Sequence, residues 1–216
     1  MKLLDLFCGA GMAADGYARA GFTEIIGVDI NPQPDYPYCF KQGDALSALR
    51  SLPLESFDAI HASPPCQAFT RAAHLRTAQG GVSKYADLLT PVLDFLSGVA
   101  VPWVVENVPG APGMDGAVVE CGSGYFLGVR RHRLFKSNVP LVGSTCNHKG
   151  QGRPVGVYHV PNDSIPQGGQ TARDAVHGRY VMGVDRELPW KSLKEGFPPA
   201  YTQHIGEQLI AALAVP

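Results

Sequence analysis

Long apolar runs are missing from this 216-residue chain. No stretch approaches the roughly 18 consecutive apolar residues that a membrane helix needs, and the amino terminus lacks the basic, then greasy, pattern of a signal peptide. A cytoplasmic protein with no membrane partner is expected. Paired cysteine spacing is lacking too: the five cysteines, Cys8, Cys39, Cys66, Cys121 and Cys146, form an odd set without CxxC. That argues against a disulfide framework and for free thiols in a reducing compartment, one of which is then available as a nucleophile. Charge of one sign is also absent. Only 17% of residues are charged and the net charge is −1, so bulk electrostatics points to no nucleic-acid partner. No internal repeat or low-complexity tract occurs.

The distribution of charge is uneven. Met1 to Ala62 holds four Lys/Arg against eight Asp/Glu, whereas Glu120 to Tyr180 holds eight against three, with four histidines. The later segment is the candidate backbone-binding face, with a solvated charged surface as its plain alternative.

What is present is βαβ rhythm. Lys2 to Phe7, Ile25 to Asp29, Phe57 to Ala62 and Trp103 to Asn107 read as strands, and Met12 to Ala20, Leu46 to Leu52 and Tyr85 to Val99 read as helices between them. This alternation predicts an α/β fold, a doubly wound, mostly parallel sheet with helices on both faces. After Phe135 the chain turns Gly/Pro/Asn-rich to about Pro189, with short strand-like pieces such as Val155 to Val160, and Tyr201 to Val215 closes as an amphipathic helix. The expected division is residues 1–138 as the main domain, 139–190 as a small loop-rich segment, and 191–216 as a helix returning to the main domain.

In such sheets ligands sit outside the carboxyl ends of the strands, where each suggestive cluster falls. Asp5-Leu6-Phe7-Cys8-Gly9-Ala10-Gly11 places glycines in the first strand-to-helix turn, where a ligand can approach the backbone. G-x-G turns occur in many nucleotide-binding folds, and in some that bind nothing. Asp29 ends the second strand, where a carboxylate can accept from both ribose hydroxyls. Gly43-Asp44 follows a third short strand and suits an adenine amino group or a simple turn. Ser63-Pro64-Pro65-Cys66-Gln67 is sharper, because two prolines stiffen the backbone before a cysteine in a loop. A nucleophilic thiol needs a proton acceptor or a lowered pKa, and an electrophile activated by protonation needs a positioned carboxyl group. Glu106, ending an apolar strand, is placed to supply it, or to serve as a salt-bridge partner or cap. Arg130-Arg131-His132-Arg133 offers forked donors for phosphate or a base carbonyl, or is a solvated basic turn.

In combination and in order, these motifs resemble the cytosine carbon-5 DNA methyltransferase family: Asp-Leu-Phe-Cys-Gly-Ala-Gly, Ser-Pro-Pro-Cys-Gln, Glu-Asn-Val and Arg131-x-Arg133. The resemblance covers about Lys2 to Phe135 and implies a Rossmann-like, S-adenosylmethionine-dependent enzyme that extrudes its target base from DNA. It implies that Phe7, Gly9 and Gly11, with Cys8, Ala10, Ile30, Ala45 and Pro64, line the cofactor pocket. Asp29 would take the ribose and Asp44 the adenine edge. Cys66 and Glu106 would act on the cytosine, and Arg131 and Arg133 would hold the base and the attacking loop. Gln67, Arg71, Arg76 and Lys84 would meet DNA from a loop over 67–84, which also carries His74 and Gly80-Gly81, with a disordered surface loop as the plain alternative. A monomer is expected. The compact size looks like small methyltransferases of bacteriophages.

Departures from the family pattern also stand out. Met12 occupies a position where the family commonly has glycine. No clear Gly-Asn-x-Val stands near the carboxyl terminus, where Tyr201 to Gly206 is expected to complete the cofactor pocket instead. The 139–190 segment is far shorter than the family's usual recognition domain, which predicts a short recognised sequence. Cys121, Cys146 and His148 lie in the later half, but no fourth ligand stands at finger-like spacing, so no metal is expected. A catalytically silent DNA-binding module, or the same mechanism on a modified cytosine or free nucleotide, are the competing readings.

Overall fold

In the computed structural model, which describes residues 1–69, 85–158 and 170–214, seven strands form one sheet in the order β3-β2-β1-β4-β5-β7-β6. The strands are β1 (Lys2–Leu6), β2 (Glu24–Asp29), β3 (Cys39–Gln42), β4 (Ala59–Ala62), β5 (Trp103–Asn107), β6 (Val118–Glu120) and β7 (Arg133–Ser137). The first five run parallel, and β7 enters antiparallel to both β5 and β6. The order reverses beside β1, so the turns after β1 and β4 open side by side at the carboxyl edge.

Buried apolar runs explain the central strands. Leu3, Leu4 and Leu6 of β1 and Ile60 of β4 are fully buried, as expected of strands covered on both faces. One face carries α2 (Ala45–Ser51) and α3 (Leu89–Leu96) over Leu6, Ile60, Trp103 and Val105. The other carries α1 (Met12–Ala20) and the last helix, α7 (Pro199–Leu213), over Leu3, Val104 and Phe135. Gly16 permits the α1–α7 contact, since a Cβ there would stand 2.1 Å from the Pro199 carbonyl oxygen and from Thr202 Oγ1.

The helix expected over Tyr85 to Val99 is shorter at both ends. Asp87 accepts from the Leu89 and Thr90 amides at 2.9 and 3.1 Å and so starts the helix late, and Ser97-Gly98 ends it. Phe57 is left out of β4, because it closes the 3₁₀ turn of Leu54–Ser56 through a bond to the Leu54 carbonyl.

The segment after β7 holds more regular structure than its composition suggests. It contains a one-turn α4 (His148–Gln151), a two-residue parallel pair β8 (Val155–Gly156) and β9 (Gln170–Thr171), and α5 (Ala175–Met182), with α6 (Trp190–Glu195) following it. Helix α5 is bounded by readable signals. The Asp174 side chain caps its start by accepting from the His177 amide, and Gly183 at φ 65° ends it. A third apolar cluster, with Val129, Val157, Val181, Met182 and Leu193, also takes in Met12. That contact explains a methionine where a glycine was expected. Among the described residues, no helix is long and apolar enough to cross a membrane.

Candidate active site

The turn after β1 is bent by three residues at positive φ, Phe7 (56°), Gly9 (48°) and Gly11 (83°). At Phe7 this conformation costs on the order of 1 kcal/mol, the kind of strain that collects at binding turns. The two glycines serve different ends. A Cβ on Gly9 would meet nothing within 4 Å, so its missing side chain leaves open space, whereas a Cβ on Gly11 would press on Tyr36 and Pro37 at 2.9 Å.

Asp29 braces this turn. Its Oδ2 accepts from the Gly9 amide at 3.1 Å and its Oδ1 from the Asn31 amide at 2.9 Å, and each oxygen retains a second lone pair for a ribose hydroxyl. Beside it Ile30 is 65% exposed, an apolar surface next to a carboxylate. Asp44 caps α2 through Oδ1, which accepts from the Ser47 amide and hydroxyl, both at 2.8 Å. Ala45 is the first residue of that helix. Cys8 is buried, and desolvation with the Asp5 and Asp29 carboxylates pushes its thiol far above its ordinary range, so it is an inert wall.

Cys66, Glu106 and Arg133 meet beside this turn. β4 delivers Ser63, Pro64 and Pro65, and Cys66 opens a 3₁₀ turn over Cys66–Ala68. β5 delivers Glu106, and β7 begins with Arg133, whose Nε stands 2.8 Å from Glu106 Oε1. That contact is a charge pair not aligned as a hydrogen bond. Both side chains are buried. Desolvation wins over Arg133 and Arg131 at Glu106 and lifts its carboxyl to about 7, a net cost to ionisation of about 3 kcal/mol. Burial likewise pushes the Cys66 thiol up; Arg133 opposes this and Glu106 adds to it. The ground state is therefore a protonated thiol and a carboxyl poised near neutrality.

Arg131 and Arg133 occupy different surroundings. Arg131, at φ 39°, donates to the Val157 carbonyl at 3.1 Å and to the Lys194 carbonyl, and stacks 4.3 Å from the Tyr158 ring centre. Its buried Nε has no partner among the described residues. Arg131 thus ties the late segment to the site, and Arg133 is the arginine that faces Glu106.

Three residues have roles that the sequence did not reveal. Asn107 Nδ2 donates to the Pro64 carbonyl at 3.0 Å and fixes the cysteine loop to the end of β5; its place directly after Glu106 was the available signal. His61, buried in β4, bonds Tyr17 through Nδ1 at 3.0 Å and Ser63 through Nε2 at 2.7 Å. Desolvation lowers its pKa to about 3, so it is a neutral brace under the loop. Arg186 donates to the Ala10 carbonyl, to the Asp35 carbonyl at 2.8 Å and to Asp15 at 2.8 Å. No spacing rule could have found it, since its partners lie about 150 residues or more away in the chain.

Tyr201 and Thr202, expected to help complete the cofactor pocket, are fully buried: Tyr201 donates to the Arg130 and Arg131 carbonyls, and Thr202 to the Ala13 carbonyl. These residues are spent on packing α7 against α1 and β7. The trio Cys121, Cys146 and His148 gains a fourth ligand-type neighbour, His132, and all four donor atoms lie within 4.8 Å of one another. It was hidden in a motif read only for its arginines. Gln67 is exposed next to Cys66, while Arg71, His74, Arg76, Gly80, Gly81 and Lys84 lie outside the described residues.

A family model described as C-5 cytosine-specific DNA methylase matches residues 1–117. The chain is 26% identical over 133 residues to the Type II methyltransferase M.AgeI of Thalassovita gelatinovora, covering 55% of this chain and 30% of that one. It is 33% identical over 129 residues to the Type II methyltransferase M.AquIA of a Picosynechococcus species, covering 50% and 49%. The chain thus spans half or less of the length of these relatives. In fold it is similar to the Entamoeba histolytica methyltransferase EhMeth, with TM-score 0.65 at 11% identity over 99% of this chain and 98% of that one.

Proposed function

The chain belongs to the C-5 cytosine-specific DNA methylase family, and from that premise we propose that it transfers a methyl group from S-adenosylmethionine to carbon 5 of a cytosine extruded from DNA, through a covalent adduct with Cys66. The observation that carries this reading is the convergence of Cys66, Glu106 and Arg133 beside the Phe7–Gly11 turn, with Glu106 and Arg133 2.8 Å apart and buried.

The turn suits the cofactor. Gly9 faces open space, Asp29 has lone pairs for a ribose, and exposed Ile30 offers an apolar surface for an adenine. S-adenosylmethionine, when bound, supplies an electrophilic methyl group on a sulfonium. Carbon 5 of cytosine is a poor nucleophile, and this chain's residues correct that. The Cys66 thiolate adds to carbon 6 while the Glu106 carboxyl gives its proton to ring nitrogen 3, so that the ring becomes an enamine. Arg133 balances the carboxylate that Glu106 becomes. After methylation a base removes the carbon-5 proton, the carbon–sulfur bond breaks, Cys66 leaves as thiolate, and the proton on ring nitrogen 3 returns to Glu106. Asn107 holds the loop in register throughout. Reaching a stacked base costs a few kcal/mol of unstacking, which contacts from 67–84 and 139–190 would offset.

The two curated relatives are named Type II methyltransferases, and a modification role in a restriction system is the reading carried to this chain. The 139–190 segment serves as the recognition element. Its few side chains suit a site of fewer than five fixed bases, each good bidentate contact giving about 1 to 3 kcal/mol of discrimination. Mapping methylated positions in treated DNA checks this; a site of five or more fixed bases would overturn it.

The test of the activity is to incubate the protein and its Cys66→Ala variant with methyl-labelled cofactor and unmethylated duplex DNA, then identify the labelled nucleoside by mass spectrometry. Labelled 5-methylcytosine from the wild type alone is expected. No labelled nucleoside with cofactor binding intact would shift the reading to an altered substrate or a silent binding module.

A further inference from the structure

Away from the reacting groups, four soft ligands from three separate stretches of chain meet at one point. Glu120 at the end of β6 pairs with Arg133 at the start of β7, so the next residues outward, Cys121 and His132, face each other across the ladder. The loop leaving β7 returns Cys146 and His148 to the same place. Cys121 Sγ lies 3.3 Å from His148 Nε2, Cys146 Sγ lies 3.4 Å from His132 Nε2, and the two imidazole rings meet edge to face at 5.1 Å. A tetrahedral ion with metal–sulfur bonds of about 2.3 Å and metal–nitrogen bonds of about 2.0 Å sets sulfur-to-nitrogen edges of about 3.5 Å. The two closest pairs fall near that length.

The surroundings are those of a built site. Ser123 Oγ is 3.1 Å from Cys121 Sγ and accepts from the Asn147 amide at 3.0 Å, and Ser144 Oγ accepts from the Cys121 amide at 3.1 Å. The returning loop is thus fastened to the Cys121 turn by hydroxyls that also orient a ligand. None of the four ligands is used by the proposed methyl transfer.

We propose that Cys121, His132, Cys146 and His148 bind one zinc ion, as a closed, structural Cys2His2 site. Two thiolates and two imidazoles select a borderline-soft ion in tetrahedral geometry, and four protein ligands leave no open position for chemistry. The ion staples the path into the 139–190 segment to the β6–β7 edge. His132 sits between Arg131 and Arg133, so the same ion fixes the stretch that carries both arginines.

Elemental analysis of the full-length protein, purified without chelator, tests this. One zinc per chain is expected, together with a visible tetrahedral spectrum and thiolate charge-transfer absorption when cobalt replaces it. Cys146→Ser, at an exposed position, and His132→Ala should each lose at least about half of the bound metal and the thiolate signal should shrink, while Cys39→Ser keeps both. Strong chelation should lower the melting midpoint of the wild type by about 10 °C. A folded wild type with less than about a tenth of an equivalent of zinc and no cobalt spectrum would overturn the site. So would an intact mass lighter by two hydrogens, with Cys121 joined to Cys146 as a disulfide.

Discussion

Up to Asn107, the candidate reactive and ligand-facing side chains follow strand ends of one ladder, in which every such strand except the edge strand β3 is paired on both sides. From Val139 to Pro189 the only strands among the described residues are the two-residue β8 and β9. Beyond two main-chain bonds, from Val155 to Gly128 and from Gly128 to Val181, and the apolar cluster around Val157, that segment is fastened by long side chains reaching for main-chain carbonyls. Arg131 takes those of Val157 and Lys194, Gln151 those of Leu127 and Val129, and Arg186 those of Ala10 and Asp35. A ladder fixes position whatever the side chains are. A set of side-chain tethers fixes position only while each tether is kept, so the first region suits a fixed chemistry and the second suits a surface that varies.

The sharpest way to break the comparison is at Glu106. In the proposed mechanism, methyl transfer requires its protonated carboxyl together with the Cys66 thiolate. With the carboxyl at about 7 and the thiol raised above its ordinary range, that population rises with pH up to about 7, is flat until the thiol titrates, and then falls. Glu106→Gln should cut kcat by about 10²- to 10³-fold and erase the break near 7, leaving a rate that climbs until the thiol titrates. A pH series of kcat/KM on both proteins decides this, and an unmoved break would show that another group owns it.

Asn107→Ala comes next. It frees the Pro64 carbonyl and should lower kcat by about 10- to 100-fold with little change in cofactor Kd, measured by single-turnover kinetics and calorimetry. The two glycines sharpen the point within one turn. Gly9→Ala should weaken cofactor binding about tenfold, because its Cβ enters the open space. Both substitutions put Ala at positive φ, but Gly11→Ala should cost more stability, about 2 kcal/mol by denaturant melt, because its Cβ would also stand 2.9 Å from Tyr36. Smallest is a matched pair of caps, Asp44→Ala and Asp174→Ala, each expected to cost about 1 kcal/mol. The first should also weaken cofactor binding and the second should not.

The same contrast explains what could be read without coordinates. α1 and β5 have the bounds their patterns predict, because a buried parallel strand needs a continuous apolar run and a surface helix needs a 3.6-residue stripe. Cys66 and Glu106 were visible because strand ends and prolines mark them. Arg131 and Arg133 could not be told apart by pattern, since what separates them is which carbonyls and carboxylates surround each after folding. Asn107, Arg186 and the His132 partnership share that cause. Helix α5 was missed for a different reason: Gly178 interrupts its pattern, although its caps, Asp174 and Gly183, stood in plain view.

Arg186 carries one consequence beyond structure. It joins the carbonyl of Ala10, in the turn proposed to face the cofactor, to the segment proposed to meet DNA. Equilibrium binding at the two places is then one linked system. By whatever factor the cofactor tightens the grip on DNA, DNA must tighten the grip on the cofactor, and Arg186→Ala should shrink both factors together.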